Sequence, residues 1–217
     1  VGPRTGSWGD PVSPSLRAPQ VRSLELTGRR VRLATLVESD YAAWLEVRVR
    51  CRDWLVPWEP RSKGAPLPAE DQSSFSARCA MRERERQLGS GFGFGVFYEG
   101  RFAGEVTLSS IQRGPFQNGA IGYWIDQDVA GLGLTPEAVV VVLRFAFETL
   151  RLHRVEVAII PRNTSSRRVA DKLRLRNEGT AHGFLEINGQ WEDHVRYAMT
   201  SEEWAQRADE LRRDWIA

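Results

Sequence analysis

Apolar positions along the chain repeat with two periods, and each change of period marks an element. Residues 31–36 read as a first strand. Ser39-Asp40 then supplies a cap, and Trp44, Leu45, Val47 and Val49 give residues 41–51 an apolar helical face. A second helix is expected over residues 69–87, with a strongly charged C-terminal half. Residues 91–98 alternate phenylalanine with small residues, Glu99-Gly100 is a turn signal, and residues 101–111 continue as the next strand. There Phe102, Gly104, Val106 and Leu108 share one parity, so Ala103, Glu105 and Thr107 face the other way. Gly114-Pro115 turns the chain into a strand ending near Asp126.

Residues 136–150 are apolar almost all round, which predicts a helix buried on more than one side. A strand over 154–160 follows, then a helix opened by Asn163 and Ser166. A hairpin turns about Asn188-Gly189, and a closing helix starts at Ser201. Successive hairpins followed by alternating helices and strands predict an α/β sandwich of the α+β type, with a mostly antiparallel sheet flanked by helices. The expected organisation is a flexible arm over 1–24, one domain over 25–200, and a helix over 201–217 packed upon it.

Composition narrows the function classes. A chain of 217 residues is of a size for one domain with a full core. A net charge of +2 does not mark a nucleic-acid binder. No apolar run is long enough for a bilayer, and no charged-then-apolar leader is seen, so no membrane role is expected. Cys51 and Cys79 lack metal spacing, which favours a reduced, cytoplasmic protein without a metal. His153, His182 and His194 have no serine at a nucleophile elbow, so no catalytic triad is evident.

The stretch that carries chemistry lies between the strand ending near Asp126 and the apolar helix. Ala130-Gly131-Leu132-Gly133-Leu134-Thr135 is a glycine-bearing loop opening directly onto that helix. Thr135 is expected as N-cap, Pro136 stands in the first turn, and Glu137 complements the helix dipole. Glycines let successive N–H groups converge on one point, which suits a phosphate. No lysine follows, so this is not a Walker loop, and the third glycine of a dinucleotide fingerprint is missing.

Ile121-Gly122-Tyr123-Trp124-Ile125-Asp126, this loop, Asn163 to Ser166, and Asn188-Gly189-Gln190-Trp191-Glu192-Asp193 together resemble the GNAT acetyltransferase superfamily, closest to its RimJ/RimL-like group. The resemblance spans roughly residues 26–200 and implies acetyl-CoA as co-substrate. The backbone of Tyr123, Trp124 and Ile125 would pair with the pantetheine arm. Gly131, Leu132, Gly133, Leu134 and Thr135 would hold the pyrophosphate, with Asn163, Ser166 and Arg168 completing the cofactor site. Ser166 resembles the serine that holds the leaving thiolate, and Ala170 stands where other members carry a tyrosine. Leu185 occupies the acidic position of RimL-like proteins and Glu186 is one residue later, so the candidate bases are Glu105 first and Glu186 second, with Asp193 as a further candidate. Trp54, Trp58 and Asp193 are the candidate acceptor contacts, and the Trp58 loop and the Asn188-Gly189 hairpin are expected as two walls of an open groove. Ala130 and Thr135 depart from the family loop.

The resemblance implies acetylation of a protein N-terminus, such as that of a ribosomal protein. A small-molecule amine (an aminoglycoside or polyamine) and acetyl-CoA binding with little turnover are the alternatives. Oligomeric state is left open.

Overall fold

A computed structural model describes residues 24–66 and 69–217; apart from its last residue, the expected N-terminal arm lies outside them. Eight strands form one sheet: β1 (Glu25–Thr27), β2 (Val31–Ala34), β3 (Phe92–Tyr98), β4 (Arg101–Gln112), β5 (Asn118–Ile125), β6 (Arg154–Ile159), β7 (Arg176–Ile187) and β8 (Gln190–Thr200). Their order is β1-β2-β3-β4-β5-β6-β8-β7, and every neighbouring pair is antiparallel except β5 and β6. The helices are α1 (Tyr41–Arg50), α2 (Arg52–Leu55), α3 (Gln72–Leu88), α4 (Leu134–Arg144), α5 (Thr164–Lys172) and α6 (Ser201–Trp215).

The larger core lies between one face of the sheet and α4, α5 and α6; a smaller one lies on the other face, under α1 to α3. Helix α4 is the central piece. Its run Val139 to Val142 is poor helix material, disfavoured by up to about 0.7 kcal/mol per residue. All four valines are fully buried, and burial of each contributes roughly 1.5–3 kcal/mol. Packing therefore wins over propensity, and the N-terminus of α4 is held rigidly. At the chain's end, Thr200 and Glu203 form a reciprocal capping box that starts α6. Trp204, Ala208 and Leu211 bury that helix against the larger core.

One expected face is corrected. Val106 and Leu108 belong to the larger core, but Phe102 belongs to the smaller one. The β3–β4 register shifts between Val96 and Phe97, so Phe97 opposes Phe102 while Val96 opposes Gly104. The extra residue, Ala103, reverses the alternation. Phe102 thus faces the same way as Glu105.

Candidate active site

Strands β5 and β6 pair only through Asn118–Arg154, Gly119–Val155 and Ala120–Glu156. Beyond those residues they continue to Ile125 and Ile159 without pairing to each other. The wedge between them exposes the β6-side backbone edge of Tyr123, Trp124 and Ile125. Unpaired strand edges suit an extended ligand with amide groups.

The glycine loop lies just past the end of β5. Asp126 anchors its start: its carboxylate accepts from Asp128 N at 3.1 Å and from Cys51 Sγ at 3.2 Å, and it pairs with Arg50. Gly131 and Gly133 have φ of +87° and +82°, a region that side chains other than glycine rarely adopt. Gly133, not Thr135, is the N-cap of α4, and Thr135 lies in the first turn. The left-handed glycine swings the chain straight into the helix and buries Leu134, so the helix begins earlier than a threonine cap would allow. Leu132 N–H donates to Val129 O at 3.4 Å, which turns that amide into the loop. The first-turn N–H groups of Leu134 and Thr135 have no helical acceptors, and with the helix dipole they favour an anion.

Glu137 does something the chain's pattern did not reveal. It is fully buried and accepts from Val31 N at 2.9 Å, from Arg30 N, and from Arg30 Nε at 3.0 Å. It thereby ties the first turn of α4 to the start of β2. Arg30 in turn donates through Nη1 to Leu132 O at 2.9 Å.

Helix α5 starts at the open side of the wedge. Asn163 is its N-cap, accepting from Ser166 N at 3.1 Å. Ser166 Oγ donates to Tyr123 Oη at 3.0 Å, and Tyr123 Oη donates to Ser166 O at 3.1 Å. Burial pushes the Tyr123 phenol pKa up, partly offset by the Ser166 hydrogen bond, so the phenol stays protonated at neutral pH. Tyr123 thus brings a hydroxyl as well as backbone to the site. Arg168 is exposed on α5, whereas Arg167 is bound to Tyr197 Oη at 3.1 Å.

Trp54 packs on the smaller core, and the Arg162 guanidinium lies over the Trp58 ring, 5.3 Å from its centroid. The two expected groove walls meet at residues 59–61. Pro60 bridges Ile187, Arg61 N donates to Glu186 O at 3.0 Å, Asn188 N to Glu59 O at 3.1 Å, and Gly189 N to Arg61 O at 2.8 Å. The backbone of residues 59–61 adds to the hairpin tip as a short extra strand, because both carry unpaired edge groups there.

The three acidic candidates all have partners. Glu105 is buried, accepts from Trp44 Nε1 at 2.9 Å and pairs with Arg78. It lines a cleft of about 410 Å³ between α3, the segment Thr35 to Glu38, β3 and β4. Glu186 accepts from Lys63 N at 2.6 Å and so holds the 61–63 turn. Asp193 accepts from Gly183 N at 2.8 Å and lies 2.8 Å from His182 Nδ1; these contacts hold its pKa below the usual value.

Residues 30–176 match the family model described as an acetyltransferase (GNAT) domain. The [Ribosomal protein uS5]-alanine N-acetyltransferase of Escherichia coli (strain K12) is 34% identical over 178 residues, covering 80% of this chain and 90% of that protein. The structure of Mycobacterium smegmatis RimJ in complex with CoA-disulfide superposes with a TM-score of 0.78 at 29% identity, over 87% of this chain and 93% of that one. That of the ribosomal-protein-S5-alanine acetyltransferase from Vibrio fischeri gives 0.75 at 29% identity, over 84% and 99%. The wedge, the glycine loop at the head of α4 and the Asn163–Ser166 turn fit a CoA-type donor, and the chain belongs to the GNAT acetyltransferase family, in its RimJ/RimL-like group, as an acetyl-CoA-dependent N-acetyltransferase.

Proposed function

We propose that the protein transfers the acetyl group of acetyl-CoA to the N-terminal α-amine of a protein, with a ribosomal protein as the leading class of acceptor. The relatives named above support this reading through the substrates in their names. The observation that carries it within this chain is the state of the carboxylates on the acceptor side. Glu59 and Glu70 pair with Arg48, Glu105 with Arg78, and Glu192 with Arg162. A site for an aminoglycoside or polyamine needs carboxylates open to several ammonium groups. Arginine already neutralises these four, which suits an acceptor with a single reacting amine.

In this reading the unpaired edge of β5 at Tyr123 to Ile125 holds the pantetheine amides, and Gly131, Gly133, Leu134 and Thr135 hold the pyrophosphate. Arg168 is available to the ribose phosphate. Asn163 fixes the first turn of α5 and so places Ser166. As negative charge develops on the sulfur, the Ser166 hydroxyl hydrogen turns from Tyr123 Oη toward it, and the protonated Tyr123 phenol turns to donate to Ser166 Oγ in its place. An α-amine has a pKa near ~8 and can lose its proton to water. Glu105 and Glu186, each committed to the fold, then act as supports. Trp58 and Trp54 flank the acceptor, and Asp193 shapes the hairpin beside it. The chemistry needs no metal, and the compartment is the cytoplasm, where ribosomal proteins are made.

The test is acetyl-CoA consumption against three acceptor sets: peptides with a free α-amine, α-blocked peptides containing lysine, and polyamines with aminoglycosides. Turnover confined to the first set is expected. Faster turnover of the third set would overturn the reading.

A further inference from the structure

The pyrophosphate loop is braced by a side chain 102 residues earlier in the chain. Arg30 uses its guanidinium as a fork. Nε binds the fully buried Glu137 at 3.0 Å, and Nη1 binds Leu132 O at 2.9 Å. The third nitrogen, Nη2, lies 3.5 Å from where a Cβ on Gly133 would be. Glu137 itself is pinned by two backbone N–H groups, of Arg30 and Val31. The fork therefore has a fixed base and one mobile target, the peptide between Leu132 and Gly133.

That peptide has reason to need fixing. Glycines at 131 and 133, both at positive φ, leave it free to rotate at little energetic cost. Ala130 brings only a methyl group, so it gives the loop no side-chain donor of its own. In a trans peptide the carbonyl and the following N–H point in opposite directions. Holding Leu132 O toward Arg30 consequently turns the Gly133 N–H away from Arg30.

We propose that Arg30 is a positioning residue of the cofactor site: by gripping Leu132 O it presents the Gly133 N–H, with those of Leu134 and Thr135, to the pyrophosphate oxygens. This rests on acetyl-CoA being the donor. Arg30 acts through the loop backbone, and its charge beside Gly133 adds a favourable field for the anion.

The test compares two donors, acetyl-CoA and acetyl-pantetheine, which lacks the pyrophosphate. The ratio of their kcat/KM values is measured for wild type, Arg30→Met and Arg30→Lys. In Arg30→Met the ratio should fall about tenfold, the scale of one charge-assisted hydrogen bond, with the loss in KM for acetyl-CoA rather than in kcat. Arg30→Lys keeps the charge but not the fork, so its ratio should fall less. Equal losses for both donors would make Arg30 a support for the whole fold and overturn the proposal, as would an unchanged ratio. Should Arg30→Met fail to fold, the Arg30→Lys ratio decides by the same criterion. A wild-type protein that uses neither donor would overturn the donor reading itself.

Discussion

Ser166 and Tyr123 are joined by a reciprocal pair of hydrogen bonds, Ser166 Oγ to Tyr123 Oη at 3.0 Å and Tyr123 Oη to Ser166 O at 3.1 Å. They come from α5 and β5, on opposite sides of the wedge. The pair fixes the serine rotamer and keeps a protonated phenol behind it. In the proposed role of proton donor to the sulfur, Ser166→Ala should lower kcat by about 10- to 100-fold with little change in KM for acetyl-CoA, since the charge that donor would meet exists mainly in the transition state. Tyr123→Phe should act in the same direction and more weakly. Steady-state kinetics of both variants and the double variant provide the check. If Tyr123 works through Ser166, the double variant is no worse than Ser166→Ala alone.

Glu105 is held by Trp44 and Arg78. Glu105→Gln keeps a hydrogen-bond acceptor for Trp44 but leaves Arg78 unpaired beside the smaller core. The variant should lose about 1–3 kcal/mol of stability in denaturant unfolding. Its pH–rate profile should keep the wild-type shape. A collapse of kcat in a variant of wild-type stability would give Glu105 the role of base instead.

Trp58 stands between Arg162 and the extra strand at residues 59–61. Trp58→Ala should reduce peptide acetylation by roughly 1–3 kcal/mol of transition-state binding. Slow hydrolysis of acetyl-CoA, which needs no acceptor, should change far less. Running both assays on one preparation separates the outcomes, because equal losses would leave Trp58 with a purely structural role.

The sheet beyond the wedge is braced by arginine–glutamate pairs, and one of them gives a pH signature. Hydrogen bonding from Arg154 lowers the Glu178 pKa from 4.5 to about 2. A depressed folded-state pKa contributes stability that is present above the unfolded value, and it is lost as pH falls through the folded one. Arg154→Met should thus destabilise the protein by about 1 kcal/mol near pH 7. Urea midpoints should show the gap narrowing as pH falls from about 4.5 toward about 2. A gap that stays constant would place the effect of Arg154 in packing.

Much of this arrangement was legible in the chain because the signals are local. The two glycines before a largely apolar helix, the Asn163–Ser166 turn and the Asn188-Gly189 hairpin each depend on residues within a few positions of one another. What escaped depends on distance. The Glu137 carboxylate meets a backbone amide 107 residues away, and the Tyr123 hydroxyl meets a serine 43 residues away. No periodicity reports such a contact. The helix starts at Gly133 rather than Thr135 because a left-handed glycine and a threonine are both acceptable helix starts, and only the burial of Leu134 chooses between them. Phe102 lies on the face opposite to its alternation because a single bulged residue reverses every parity before it. The meeting of the Trp58 loop with the hairpin has a similar origin. Residues 59–61 carry no strand pattern, and their pairing with 186–189 arises from backbone edges that meet in space.

The central claim is acetyl transfer to an N-terminal α-amine, and locating the acetyl group tests it most directly. A peptide with a free N-terminal alanine and an internal lysine is incubated with the protein and acetyl-CoA, then fragmented in a mass spectrometer. The account predicts one acetyl group per peptide, on the α-amine of the first residue. An acetyl group on the lysine side chain, or no acetylation while a polyamine in the same mixture is modified, would contradict it.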